Sequence, residues 1–140
     1  MSKKSWAVDT NTLVYFLDKN SPHHQSVVDI FSRAKKSSIQ LVITHQNILE
    51  LIQVLTSFYH LSLKKAVSQA KSVINSSLRL IYPLPSTLSS YISLCGKQPN
   101  AHYHFDLYLA ATFLDHGIDS IVTADHKPFK NIAGFKIIKI

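Results

Sequence analysis

Four carboxylate side chains occupy positions where an unpaired negative charge is costly. Asp9 and Asp125 each end a short apolar run, while Asp106 and Glu50, the only glutamate, each lie between two apolar residues. Neither Glu50 nor Asp106 has a lysine or arginine three or four positions away that would pair with it on a helix. Carboxylates in apolar surroundings are costly unless they are hydrogen-bonded, paired or bound to a metal ion. We therefore predict that these four side chains converge on one site.

The other four acids have ordinary explanations. Asp29 precedes Arg33 by four residues, which is the favoured spacing of an ion pair on a helix. Asp18, Asp115 and Asp119 lie in polar turns or at the end of a predicted helix. We interpret all four as solvated acids. Half of the acidic residues are then committed to a single pocket.

A pocket of carboxylates favours Mg²⁺ or Mn²⁺ over zinc. The chain has one cysteine, Cys95, and its eight histidines form no HExxH or similar motif. Hard divalent cations prefer oxygen ligands, clamp phosphate oxygens and lower the pKa of a bound water molecule. The expected chemistry is attack of that water on phosphorus.

The charge balance favours an anionic partner. Fifteen lysines and arginines stand against eight acids, giving a net charge of +7 at pH 7. If half of the acids lie in one pocket, the remaining surface is more basic still, which indicates nucleic acid first. Charge that only keeps the chain soluble is the alternative. The candidate contacts to a nucleic-acid backbone are Lys35, Lys36, Lys64, Lys65 and Lys127.

Several classes of protein are excluded by composition. A chain of 140 residues that is 46% hydrophobic and 16% charged is neither disordered nor of low complexity. No apolar run approaches the roughly 20 residues of a membrane span, and the first residues do not resemble a signal peptide. We expect one domain, over 1–140, located in the cytoplasm.

Five apolar strand segments alternate with helical segments. The predicted strands cover 6–8, 39–44, 78–82, 119–123 and 135–138, and the clearest helices cover 11–17, 45–59, 63–74 and 104–115. This alternation predicts a parallel sheet that is covered on both faces. Because ligands bind outside the carboxyl ends of parallel strands, Asp9 and Asp125 are predicted to lie at the binding edge.

The order of short motifs resembles that of PIN-domain ribonucleases. The run 8–15 (VDTNTLVY), followed by 21–24 (SPHH), is similar to the opening of the VapC-type toxins of toxin–antitoxin pairs. The likeness continues at 48–51, 58–62, 106–111 and 122–125, in the family's order, and so covers nearly the whole chain. A single DTN motif is weak, but four motifs in register are strong.

The resemblance implies a fold, an activity and a set of site residues. The fold is a three-layer α/β/α sandwich with a five-stranded parallel sheet, and the activity is cleavage of RNA by an endoribonuclease that depends on Mg²⁺ or Mn²⁺. Asn11 matches the amide that orients the first aspartate, and Thr123 matches a small hydroxyl residue near the fourth. The residues carried over as catalytic and metal-binding are Asp9, Glu50, Asp106 and Asp125.

One stretch departs from the family pattern. Many relatives carry a further acid or a histidine just before the phenylalanine that follows the fourth aspartate. This chain reads His126-Lys127-Pro128-Phe129 at that point. The departure affects the expected affinity for a second metal ion more than the expected affinity for the first.

The resemblance also implies protein partners. An antitoxin would lie over the acidic pocket or place a helix in an apolar groove between the early helices, and the toxin would form a homodimer. Two alternatives differ in class. A catalytically inactive module on the same fold would bind nucleic acid or protein, whereas a phosphorelay receiver needs an acid at the end of the third strand. That strand ends LIYP at 80–83, which excludes the receiver.

Overall fold

The computed structural model describes residues 4–140, which form five strands and six α-helices. The strands are β1 (Ser5–Val8), β2 (Gln40–Thr44), β3 (Arg79–Ile81), β4 (Ser120–Thr123) and β5 (Lys136–Lys139). The helices are α1 (Thr10–Leu17), α2 (His24–Lys36), α3 (His45–Ser57), α4 (Leu63–Ile74), α5 (Thr87–Cys95) and α6 (His104–Asp115). A single turn of 3₁₀ helix at Ala101–Tyr103 leads into α6.

The five strands form one parallel sheet in the order β3-β2-β1-β4-β5. The chain builds outward from β1 to β3, and then crosses to the other side of β1 to add β4. The topological switch point therefore lies between β1 and β4, where ligands bind in open α/β sheets. Asp9 directly follows β1, and Asp125 comes two residues after β4.

The sheet separates two apolar layers, which confirms the predicted α/β/α sandwich. Trp6 and Val8 pack among side chains of α1 to α4, whereas Ala7 between them packs against α6 on the opposite face. This alternation is the period of two that a strand imposes on its side chains. Because both faces are covered, the strands read as continuous apolar runs in the sequence.

Local signals in the sequence set the helix ends near the site. The Asp9 side chain caps α1, and Thr44 caps α3 in a reciprocal capping box with Asn47. The Ser62 hydroxyl caps α4. Gly117 follows α6 with φ of +74°, a left-handed conformation that favours glycine.

Asp115 is not the solvated acid that its position at a helix end predicted. Its carboxylate accepts hydrogen bonds from Ser90 Oγ (2.7 Å), Ser86 Oγ (2.9 Å) and Thr87 Oγ1 (2.9 Å), at the first turn of α5. Burial raises the pKa of Asp115, but these bonds together with His116 outweigh it and lower that pKa. The carboxylate therefore ties the end of α6 to the start of α5.

The structure shows other contacts for Asp29 and Arg33 than the predicted ion pair between them. Gln25 Nε2 donates to Asp29 Oδ1 at 2.8 Å. The Arg33 guanidinium lies instead over the Trp6 ring, 5.9 Å from its centroid, where a cation is attracted to the ring face.

Among residues 4–140, no helix is long and apolar enough to cross a membrane.

Candidate active site

Asp9 is the most constrained carboxylate of the site. Its Oδ1 accepts the Thr10 backbone N–H at 2.8 Å, and its Oδ2 accepts from Thr123 Oγ1 at 2.8 Å and Asn11 Nδ2 at 3.3 Å. The side chain is buried. Burial raises the pKa of Asp9 to about 6, against the lowering effect of its hydrogen bonds, and nearby negative charges add to the rise.

Asn11 and Thr123 join the end of β1 to the loop after β4. Besides holding Asp9, Asn11 accepts the Ala124 backbone N–H at 3.3 Å through Oδ1. The Thr123 hydroxyl accepts the backbone N–H of Asp125 at 3.0 Å. Both side chains thus lie where the family resemblance implied, and they link the first and fourth carboxylate segments.

Glu50 lies in the second turn of α3 and points toward the end of β1. Its Oε1 accepts a hydrogen bond from Thr10 Oγ1 at 3.3 Å. Burial raises the pKa of Glu50 to about 7, and the negative charges of Asp9 and Asp106 add to that rise. Donors from Thr10 and Gln46 oppose the rise without cancelling it. Glu50 is therefore electrostatically coupled to two of the other predicted site acids.

Asp106 and Asp125 complete the set from the opposite side of the sheet. Asp106 lies in the first turn of α6, where the helix dipole favours a negative charge. Burial, and then the charge of Asp125, raise the pKa of Asp106 to about 6. Asp125, which ends an apolar run in the sequence, has an exposed side chain, and its Oδ1 accepts the Lys127 backbone N–H at 3.1 Å.

All four acids line one cavity of about 550 Å³. Its described lining contains no lysine or arginine side chain. Aromatic and histidine side chains share the wall, namely Tyr15, Phe58, Tyr59, His102 and Tyr103. Tyr59 is held in place because its hydroxyl donates to Asp18 Oδ2 at 2.8 Å, so Asp18 is not a simple solvated acid.

The cavity has the ligand chemistry of a hard divalent cation. Four carboxylates contribute to its wall, and burial and mutual repulsion raise the pKa of three of the four carboxyl groups. A cation among them reverses the electrostatic logic that disfavours their charged forms. In the described part of the chain, however, no three acidic, histidine or cysteine side chains are grouped tightly enough to form a ready-made ion cage.

The predicted nucleic-acid lysines lie outside the lining of this cavity. Lys64 and Lys65 are exposed in the first turn of α4, and Lys127 is exposed close to Asp125. Lys35 and Lys36 are exposed in the last turn of α2, and Lys35 borders a second cavity. Their contact with nucleic acid stays a prediction, and Lys127 is the one adjacent in sequence to a site acid.

The sequence interpretation missed two buried polar residues beside the site. Thr10 donates to Glu50, and Asn47 Nδ2 donates to Thr10 Oγ1 at 3.0 Å. The only sequence signal for Asn47 is its position three residues after Thr44, which is the spacing of a capping box. Nothing in the sequence indicates that the same amide also reaches Thr10 from 37 residues away.

An α/β/α domain with carboxylates gathered at the switch point of a parallel sheet defines a recognisable class. The model of the PIN domain family matches residues 7–135, so the chain belongs to that family. No curated protein sequence is detectably similar to the chain.

Solved structures share this fold at low sequence identity. VapBC-1 from nontypeable Haemophilus influenzae matches with a TM-score of 0.72 and 18% identity, covering 96% of this chain and 97% of that one. DNA-bound VapBC from Salmonella typhimurium matches with a TM-score of 0.71 and 17% identity, covering 99% and 98%. VapC20 from Mycobacterium tuberculosis, a sarcin-ricin loop cleaving toxin, matches with a TM-score of 0.68 and 14% identity, covering 96% and 97%. The predicted likeness to VapC-type PIN domains is confirmed at the level of the fold.

Proposed function

We propose that this chain is an endoribonuclease that depends on Mg²⁺ or Mn²⁺, and the toxin of a toxin–antitoxin pair. The observation that carries the proposal is the single cavity lined by Asp9, Glu50, Asp106 and Asp125 at the switch point of the sheet. Membership of the PIN domain family supports it. So does the fold shared with VapC20, whose own description is a sarcin-ricin loop cleaving toxin.

Each site residue has a role in this proposal. Asp9, Glu50, Asp106 and Asp125 would hold the cation, and Asn11 and Thr123 keep the Asp9 carboxylate oriented toward the cavity. When bound, such a cation would neutralise the carboxylates, bind phosphate oxygens and lower the pKa of a water molecule, so that the hydroxide formed from it could attack phosphorus in line.

The rest of the chain would hold the RNA. The net charge of +7 includes the negative charges that the cavity withdraws from the outer surface, so an approaching phosphate backbone meets a more basic exterior. Lys64, Lys65 and Lys127 are the exposed candidates for backbone contacts, together with Lys35 and Lys36. Side chains of this kind position the nucleic acid without reading its sequence.

Incubation of purified protein with an end-labelled RNA tests the activity. We expect cleavage with Mg²⁺ or Mn²⁺ and none with EDTA, because the carboxylates alone supply neither an activated water nor charge neutralisation. Attack by water leaves a phosphate monoester on one fragment and a hydroxyl group on the other. Attack by the RNA's own 2′-hydroxyl leaves a cyclic phosphate instead. Binding of RNA without cleavage under all three conditions would favour the catalytically inactive module instead.

An antitoxin partner is part of the same proposal. An apolar groove of about 500 Å³ opens between α1, α2 and the end of α4, away from the acids. Its apolar lining includes Phe16, Phe31, Val73 and Leu78. This groove suits the apolar face of an antitoxin helix, and co-elution of the chain with such an antitoxin, lost on substitution of Phe31 by glutamate, tests it. Cytoplasmic location and a homodimer complete the proposal.

A further inference from the structure

A series of three hydrogen bonds leads from the start of α3 to Glu50. The Thr44 backbone N–H donates to Asn47 Oδ1 at 2.8 Å, and Asn47 Nδ2 donates to Thr10 Oγ1 at 3.0 Å. Thr10 Oγ1 then lies 3.3 Å from Glu50 Oε1. Thr10, Thr44 and Asn47 are all buried, so solvent does not compete for the bonds that join these three residues.

The direction of every hydrogen bond in this series follows from the first bond, which joins Thr44 to Asn47. A backbone N–H is always a donor, so the atom of Asn47 that faces Thr44 must be the amide oxygen. The amide nitrogen of Asn47 therefore faces Thr10 and occupies a lone pair of its hydroxyl. The hydroxyl proton of Thr10 is then free to point at Glu50, its acceptor in the structure.

We propose that Thr10 is a positioning residue for Glu50, with its hydroxyl aimed by Asn47. The hydroxyl fixes one carboxylate oxygen of Glu50, and the Glu50 side chain lines the cavity. The same residue also supplies the backbone N–H that holds Asp9 Oδ1, so Thr10 links two of the four acids. The inference rests on the proposed function for the meaning of the site, but its geometry stands independently.

The chain offers a clean spectroscopic probe, because Glu50 is its only glutamate. Protein made with carboxyl-labelled glutamate gives one glutamate resonance by nuclear magnetic resonance, and its pH titration reports Glu50 alone. In the wild-type protein, burial and neighbouring charge place the pKa of Glu50 at about 7. Thr10→Val removes the hydroxyl and keeps the shape, so the Glu50 resonance should titrate at higher pH.

The second measurement is calorimetric titration with Mn²⁺. Loss of a group that orients a ligand typically weakens metal binding by 10- to 100-fold, so we expect Thr10→Val to bind Mn²⁺ about tenfold more weakly. Thr10→Ser keeps the hydroxyl and should restore both measurements. Thr112→Val is the matched control, because Thr112 is buried in α6 and its hydroxyl, in the part of the chain that the structure describes, bonds only the Tyr108 carbonyl. This control should change neither measurement.

The outcomes separate the inference from the proposed function. An unchanged Glu50 titration in Thr10→Val would overturn the inference, as would a Thr10→Ser variant as altered as Thr10→Val. Should the wild-type protein bind no Mn²⁺, the proposed function fails, while the Glu50 resonance still decides the role of Thr10. If Thr10→Val does not fold, Thr10→Ala removes the same hydroxyl and takes its place in both measurements.

Discussion

Replacing Asp106 by asparagine should lower the rate of metal-dependent RNA cleavage by at least about a thousandfold, and should also stabilise the cation-free protein. The loss of activity follows because Asp106 is one of four carboxylates around the cavity, and an amide is a weaker ligand for a hard cation. The gain in stability follows because Asp106 is partly buried and faces the charge of Asp125.

The pH dependence of this stability gain has a definite sign. The pKa of Asp106 rises from 3.8 to about 6 on folding. Ionisation is therefore disfavoured in the folded state, and stability is lost as the pH rises through that range. Asparagine does not ionise. The variant should then match the wild-type protein near pH 4 and exceed it above pH 7, by on the order of 1 kcal/mol after allowance for partial exposure.

Urea unfolding at the two pH values, with EDTA present, measures the stability difference, and the RNA assay measures the activity. Asp29→Asn is the matched control, since Asp29 is exposed on α2 and its carboxylate, within residues 4–140, accepts a side-chain hydrogen bond only from Gln25. It should retain full activity and show no comparable pH-dependent gain. Cleavage by Asp106→Asn at the wild-type rate would contradict the assignment of Asp106.

Substitution of Phe129 by alanine is expected to have the largest effect on stability. Phe129 is fully buried, and its ring packs edge-on against Phe135 with centroids 5.9 Å apart. Removing a buried phenylalanine side chain costs about 3 to 5 kcal/mol. A marginally stable domain of this size has only about 5 to 15 kcal/mol in total. We expect a large fall in the urea midpoint.

Phe129 also anchors the segment that carries Asp125. Its backbone N–H donates to the His126 carbonyl at 3.0 Å, which closes the turn directly after that acid. Alanine keeps this backbone bond but loses the buried ring that holds the turn in place, so weaker Mn²⁺ binding should accompany the loss of stability. Phe105→Ala provides the comparison, because that ring is 66% exposed and its removal should cost less than about 0.5 kcal/mol. Equal effects of the two substitutions would contradict the anchoring role.

The fold could be predicted from the sequence because its signals are local. The apolar strand runs and the helical spacing of apolar residues predicted all five strands, and the clear helices differ from the structure by at most two residues. For example, α4 covers Leu63–Ile74, the range predicted for it. The parallel direction of the strands followed from the alternation of strands and helices, since parallel strands need a crossover connection, whereas the strand order β3-β2-β1-β4-β5 was not predicted.

The candidate site could be predicted only in part. The absence of a base three or four positions away indicated Glu50 and Asp106, because an ion pair within one helix can be recognised from residue spacing. The exposure of Asp125 and the three hydroxyl bonds to Asp115 depend on which turns meet in space. No spacing in the sequence brings Thr10 to Asn47, so their contact was not predicted.

The most direct test of the central claim is anomalous diffraction from crystals grown or soaked with Mn²⁺. We predict a manganese peak in the cavity, within ligand distance of carboxylate oxygens of Asp9 and Asp106, that is lost in crystals of Asp106→Asn. Such a peak would place the proposed cation where the four acids meet. Manganese bound only elsewhere on the protein, or an unchanged peak in the variant, would contradict the account.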